Sequence, residues 1–389
     1  MINIRTEIKD IEHTIINWRR DFHRYPELSF KEYRTGEVIE KELKSMGLNP
    51  KTNVGKTGLT ADIEFGDGPM IAIRADMDAL PIQETSGLDF ASVNDGVMHA
   101  CGHDGHMAML LAAAKVLTSK KHNEYNGTVR LIFQPAEEGE GGARYMIEDG
   151  CLDDVEEIYG IHVWNYQPLG EIGVKDGPIM AAADMFNIII KGIGGHGAAP
   201  QGTVDSIVVA SQLVQSLQTI VSRNTNPLES SVVSIGKING GNNFNIIADE
   251  VFLSGTVRAY TEENRFLIKK RLNEIIDGVA NTYRAEIKLD YKDGYPPTIN
   301  HPSQTEKVLN AAKKVVGSKA GKPYLSMGGE DFAYYLEKIP GCFFFVGSAP
   351  NKNSLFETPH HCSHFNMDEE ALLIGASVYL NLLDEIVGI

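Results

Sequence analysis

Only four cysteines occur in 389 residues, and none of them forms a Cys-x-x-Cys pair. That scarcity excludes a disulfide-stapled scaffold and argues against a purely structural zinc site. It fits a reducing, cytoplasmic setting. Long apolar runs are missing as well: no stretch approaches the ~20 consecutive apolar residues of a membrane span. Residues 1–10 are charged and have no apolar signal core. Without such a signal, the sequon Asn126-Gly127-Thr128 reads as chance. Basic residues are in deficit too, with 36 Lys and Arg against 52 Asp and Glu, a formal net charge of −16. A nucleic-acid binder needs clustered Lys and Arg, so that class is set aside. No long repeat or low-complexity tract is visible.

What remains is an ordinary globular composition, 42% hydrophobic and 23% charged, in a chain long enough for two domains. Apolar residues Ile8, Ile11, Ile15, Trp18 and Phe22 recur at three-to-four spacing and predict an amphipathic helix over 7–24. Further helices are expected over 35–45 and 104–117, and strands over 70–75, 128–133 and 158–163. This alternation predicts an α/β sheet flanked by helices, with ligands gathering beyond the strand carboxyl ends. The character of the sequence changes near Ala181. Strands over 186–191, 231–238, 251–258 and 285–291, with helices over 204–221 and 262–282, spell a split βαβ domain of ferredoxin-like type. A very apolar strand over 342–347 and a closing helix over 367–387 follow. The expected architecture is a catalytic domain of mixed sheet and helices, 1–182 plus 295–389, interrupted by an inserted α+β domain at 183–294.

The richest run is Met98-His99-Ala100-Cys101-Gly102-His103-Asp104-Gly105-His106. A thiolate, imidazoles and a carboxylate are the ligands preferred by zinc and its first-row neighbours. His106 falls on the predicted helix, where capping or packing is the plainer role. Arg74-Ala75-Asp76-Met77-Asp78-Ala79-Leu80-Pro81 leaves an apolar strand. Its carboxylates can bind metal or orient an imidazole that does. Gln134-Pro135-Ala136-Glu137-Glu138-Gly139 also follows a strand. Two adjacent carboxylates beside a metal can divide the labour, one coordinating and one taking a proton. Taken alone, the same loop reads as a solvated acidic turn. His162 ends an apolar strand, and by itself reads as a core histidine. In His360-His361-Cys362-Ser363-His364-Phe365, adjacent side chains point apart, so one His at most reaches a shared metal. In the insert, His196 stands among Gly194, Gly195, Gly197 and Ala198, which suggests a His presented to a ligand or partner subunit. Asn245 and Arg258 can bind a substrate carboxylate, although each also has a structural reading.

In this order the motifs resemble the di-metal aminoacylase and carboxypeptidase family. They look most like its amidohydrolase branch of hippurate hydrolases, indole-acetyl-amino-acid hydrolases and N-acetyl-diaminopimelate deacetylases. The resemblance is spread over His23-Arg24-Tyr25-Pro26-Glu27, 74–81, 98–106, 134–139, His162, 196–200 and 361–365. It implies two divalent metal ions per subunit (Zn, Mn, Co or Ni) held by Cys101, His103, Glu138, His162 and His361. It further implies Glu137 as general base for a metal-activated water, with Asp78 assisting from behind. His196 would reach a partner subunit's site and stabilise the oxyanion, while Asn245 and Arg258 would contact the substrate's carboxylate end. Related peptidases carry a His two positions before the second Asp of the first motif, where this chain has Asp76. Spacing to Phe365 selects His361 over His360. Cys362-Ser363-His364 departs from the family's usual tail motif, which should alter loop shape more than chemistry. The implied activity is cleavage of the amide bond of N-acyl-L-amino acids, N-acetyl or aromatic acyl, by a homodimer, with a homotetramer as the alternative. The rival readings are a metallo-carboxypeptidase or dipeptidase acting on short peptides, and a non-catalytic metal-binding protein.

Overall fold

The computed structural model describes residues 2–120, 125–350 and 357–388. The chain forms two compact units, one of residues 1–179, 299–325 and 331–389, the other of residues 180–298 and 326–330. Among the described residues, no helix is long and apolar enough to cross a membrane.

The first unit is built on an eight-stranded mixed sheet. Its strand order is Lys51–Val54, Gly58–Glu64, Thr128–Gln134, Met70–Asp76, Glu157–Pro168, Gly341–Ala349, Ile172–Gly173 and Ala320–Gly321. The four central strands run parallel. They read as near-continuous apolar runs because both faces are covered, and every residue of Gly341–Ala349 is buried. The register sets Asp76 level with Gln134, and His162 level with Phe345. Parallel strands bring their carboxyl ends, and the loops that follow, to one edge of the sheet. Two of the predicted motifs, 74–81 and 134–139, leave from that edge, whereas His162, expected to end its strand, lies within one that runs on to Pro168.

The helix His103–Thr118 is apolar on all sides and buried along almost its whole length, as a helix enclosed within the core must be. It packs against the sheet and against the helices Glu12–Arg24 and Glu370–Ile386. The single helix expected over 7–24 is in fact two, Thr6–Lys9 and Glu12–Arg24. The break leaves the apolar spacing intact because Ile8 and Ile15 both remain fully buried. Apolar periodicity records the buried face, and a turn that preserves that face is invisible to it.

The second unit has a four-stranded antiparallel sheet, ordered Ser231–Gly240, Glu250–Ala259, Ala182–Lys191 and Glu286–Tyr295. Along Ala182–Lys191, Phe186, Ile188 and Ile190 are fully buried, while Met185, Asn187 and Ile189 are not. Helices Ser206–Thr219 and Glu262–Tyr283 cover the apolar face through Val209, Leu213 and Leu217 and through Ile268, Leu272 and Ile276. Asp205 caps the first helix by accepting from the amides of Ile207 and Val208, and Thr261 caps the second by accepting from Asn264. Strand, helix, strand, strand, helix, strand is the split βαβ order.

Candidate metal centre

Gly102 makes the turn into the central helix with φ +94°, and a Cβ there would meet Val163 Cγ2 at 2.3 Å. Only glycine fits this close approach in the left-handed region. The turn sets Cys101 and His103 on either side of the bend. Cys101 Sγ lies 3.4 Å from His162 Nε2. His162 Nδ1 is 2.6 Å from the carbonyl of Val163, so that nitrogen carries the proton and Nε2 turns its lone pair to the thiol. His103 repeats the arrangement, its Nδ1 donating to the carbonyl of Asp78 at 2.8 Å. His103 Nε2 is buried with no hydrogen-bond partner among the described residues. His361 Nε2 stands 3.2 Å from Glu138 Oε1.

Three overlapping groups join the predicted ligands and base: Cys101 with His103 and His162; Cys101 with Glu138 and His361; His103 with Glu137 and Glu138. Within each, the donor atoms all lie within 4.8 Å of one another. The local charge is heavily negative. Burial, then Glu138, Glu137 and Asp76, hold the Cys101 thiol well above its usual pKa. Burial pulls His103 down, but Asp76, Asp78 and Glu138 carry it up to about 10. Burial also keeps His162 neutral, the state in which imidazole coordinates. A divalent cation fits this donor set, since it would engage the orphaned His103 Nε2 and offset the clustered carboxylates.

Two nearby histidines are already committed. His106 donates through Nδ1 to Asp76 Oδ1 at 2.6 Å and accepts the amide of Val163 through Nε2 at 2.9 Å. His360 donates through Nδ1 to the carbonyl of Cys101 at 3.2 Å and accepts the amide of Asn165 through Nε2 at 3.1 Å. His361 adopts φ +64° and faces Glu138 instead.

Asp78 ties the loops together. Its Oδ1 accepts the amide of Glu137 at 3.0 Å, and its Oδ2 accepts that of Glu138 at 2.9 Å and the Ser29 hydroxyl at 2.8 Å. Behind it, Arg74 bonds Asp76 at 2.6 Å, Gln134 at 2.8 Å and Asp331 at 3.0 Å. Asp331 also accepts the amide of Ala143 at 3.0 Å, and its own amide points to Glu137 Oε1 at 3.4 Å. Asp104 is engaged away from the cluster, by Arg19 Nε at 3.0 Å and His23 Nδ1 at 2.9 Å. Sequence reasoning missed Ser29, Glu32 and Asp331. An acid directly before the apolar Phe332 was the available signal for Asp331. Glu32 gave none, since it resembles any acid near a helix start.

Three of the candidate residues lie in the second unit. His196 is exposed on a two-residue strand paired with Ile246–Ile247, and its Nδ1 accepts the amide of Ala198 at 3.0 Å. The carbonyl of Asn245 accepts from Gly197 at 2.8 Å, so His196 and Asn245 are local neighbours. Arg258 is half-buried on the strand Glu250–Ala259, donates to the carbonyl of Val257 at 3.0 Å, and borders an open depression of about 400 Å³ with Ser234, Lys237 and Thr256.

A parallel-stranded core that delivers thiol, imidazole and paired carboxylates to one edge defines a hydrolase of the kind that acts on amides. The chain belongs to peptidase family M20/M25/M40, whose model matches residues 72–385. It is 43% identical to the N-acetyl-L-cysteine deacetylase of Bacillus subtilis (strain 168), over 96% of this chain and 88% of that protein. To thermostable carboxypeptidase 1 of Saccharolobus solfataricus it is 39% identical, over 96% of this chain and 95% of the relative. Among solved structures, the YXEP protein of Bacillus subtilis, a dinuclear metal binding peptidase from the M20 family, matches with a TM-score of 0.85 and 38% identity, covering 97% of this chain and 99% of that one.

Proposed function

We propose that this chain is a cytoplasmic metal-dependent amidohydrolase that cleaves the amide bond of N-acyl-L-amino acids, N-acetyl or aromatic acyl. Cys101, His103, Glu138, His162 and His361 hold two divalent cations (Zn, Mn, Co or Ni) in this reading. The observation that carries it is the Glu137–Glu138 pair. Both amides are gripped by Asp78, yet Glu138 faces His361 while a Glu137 oxygen faces the amide of Asp331. The two carboxylates thus face different partners, and in this reading Glu137 is the one that transfers the proton.

The cations, when bound, polarise the amide carbonyl and lower the pKa of the attacking water toward ~7. Glu137 accepts that water's proton and delivers it to the leaving amine. Asp78 keeps the Glu137–Glu138 turn in place and holds His103 in the tautomer that frees Nε2. His196, supplied by a second copy in a homodimer or homotetramer, donates to the oxyanion. Asn245 and Arg258 hold the substrate's carboxylate end. An aromatic acyl arm is supported by a wall of rings beside His162. Trp164 and Tyr166 lie 4.9 and 5.4 Å from His360, and Tyr166 stacks on the part-exposed Tyr324 at 5.5 Å.

The test is a side-by-side assay of N-acetyl amino acids, N-benzoyl amino acids and dipeptides after reconstitution with Mn or Zn. N-acyl amino acids are expected to lead in kcat/KM by about tenfold or more. Dipeptides in the lead would establish the carboxypeptidase reading, which the Saccharolobus relative favours. Tight metal binding with no hydrolysis of any amide would establish the non-catalytic one.

The committed nitrogens of His360 give a second expectation. His361→Ala should lose cation on dialysis, while His360→Ala should retain it. Metal analysis of the two dialysed variants decides, and the opposite order would exchange their roles.

A further inference from the structure

We propose that Glu32 is a positioning residue for the catalytic turn, completing with Asp78 a carboxylate cradle that sets where the Glu137 side chain points. This rests on the reading of Glu137 as the base.

The cradle is visible in three consecutive amides. That of Ala136 donates to Glu32 Oε1 at 2.9 Å, that of Glu137 to Asp78 Oδ1 at 3.0 Å, and that of Glu138 to Asp78 Oδ2 at 2.9 Å. Ala136 meets its part of this arrangement in the left-handed region, at φ +56°, which an L-residue reaches only against a steric penalty. A bond from a buried carboxylate to the amide of that residue opposes relaxation. The turn is closed from its other end by Gly142, whose amide donates to the carbonyl of Ala136 at 2.9 Å. A Cβ on Gly142 would lie 1.7 Å from the carbonyl oxygen of Pro135.

Glu32 is itself held firmly. It is fully buried, and its Oε2 accepts the Thr57 hydroxyl at 2.5 Å. It stands at the entry to the helix Tyr33–Ser45, whose first amides are taken up by Glu27, with Arg34 at 3.1 Å and Thr35 at 2.8 Å. The carbonyl of Glu27 accepts the amide of Ala79 at 2.8 Å, and Ser29 donates to Asp78. Residues 27–32 thus grip both loops that carry the chemistry, which gives the segment following His23-Arg24-Tyr25-Pro26 a use that its composition does not suggest. Burial, with the negative charge of Asp78 nearby, raises the Glu32 carboxyl to about 7. A neutral amide is therefore a close stand-in, and the acceptor oxygen is the feature the turn needs.

The experiment compares Glu32→Ala, Glu32→Gln and Thr57→Val in the full chain, by steady-state kinetics, metal content and hydrogen exchange of the peptide spanning 134–140. Glu32→Ala is expected to lower kcat about 10–100-fold through misplacement of the base, with KM and metal content nearly unchanged. Amide exchange in 134–140 should speed up about tenfold or more, with or without metal. Glu32→Gln should restore both readouts, and Thr57→Val should give a smaller loss in the same direction. A folded Glu32→Ala chain with wild-type kcat and wild-type exchange overturns the proposal. So does a loss seen in KM or metal content alone, or a Glu32→Gln variant as impaired as the alanine. If Glu32→Ala fails to fold, Thr57→Val and Glu32→Gln decide by the same readouts. Exchange is read without turnover, so failure of the Glu137 reading would leave the exchange result standing and is distinguishable.

Discussion

Glu137→Gln is expected to keep the cations bound and to lower kcat by about 10²–10⁴-fold, the range that a positioned general base supplies. The substitution is nearly isosteric. The grip on the turn is made by its amides to Asp78 and Glu32, which the new side chain does not disturb. Glu138 stays against His361, so metal content and KM should change little. What is lost is a lone pair basic enough to take a proton from water and return it to the leaving amine. Steady-state kinetics with metal analysis of the same sample checks this, and turnover within about twofold of the parent would end the assignment of the base. The variant also reports on His196. If that histidine serves a second copy's site, mixing Glu137→Gln chains with His196→Ala chains, each inactive alone, should recover turnover. Each mixed pair then contains one site with both residues. No recovery after verified subunit exchange would place His196 in its own chain's site or outside the chemistry.

The parts of this molecule legible in the sequence are those whose chemistry is local. Cys101 and His103 flank one glycine, Glu137 and Glu138 are adjacent, and the apolar strand that leads into the Glu137–Glu138 turn announces itself by composition. Type and order of residues were enough to reach the family and the α/β class. That the ring nitrogens of His106 and His360 are already committed was not legible, because it depends on partners far along the chain. His360 is committed by the carbonyl of Cys101 and the amide of Asn165. His106 is committed by Asp76 and Val163. The supporting carboxylates were hidden for the same reason. Glu32 meets Ala136 across 104 positions, and Asp331 meets Arg74 across 257. No periodicity or motif spacing encodes such a contact. The helix break near Asp10 stayed hidden because it leaves the buried face unchanged.

The largest expected effect on stability comes from Arg74, to which no ligand or catalytic role is assigned. Its guanidinium is fully buried and serves Asp76, Gln134 and Asp331 at once. Arg74→Met keeps much of the volume but leaves two buried carboxylates without their cation. Breaking a buried pair in this way costs about 3–5 kcal/mol. Lysine would not rescue it, because a single ammonium cannot reach three acceptors with the planar fork of a guanidinium. The pH dependence has a definite sign. In the parent, burial pushes Asp76 upward but Arg74, His103 and His106 outweigh it, leaving its pKa well below the usual value. That contribution is present above the unfolded pKa and lost as pH falls through the folded one. Asp331 runs the other way. Burial raises it to about 6 although Arg74 opposes this, so it disfavours the native state as pH rises from about 4 to 6. Without Arg74, both carboxylates move upward and both disfavour the folded chain at neutral pH. The stability gap between Arg74→Met and the parent should therefore be widest near pH 7–8 and narrow toward pH 5. Urea unfolding of the chelator-treated proteins at the two pH values measures it. A gap below about 1 kcal/mol, or one that widens on acidification, would show that Asp76 and Asp331 do not depend on Arg74 for their charge.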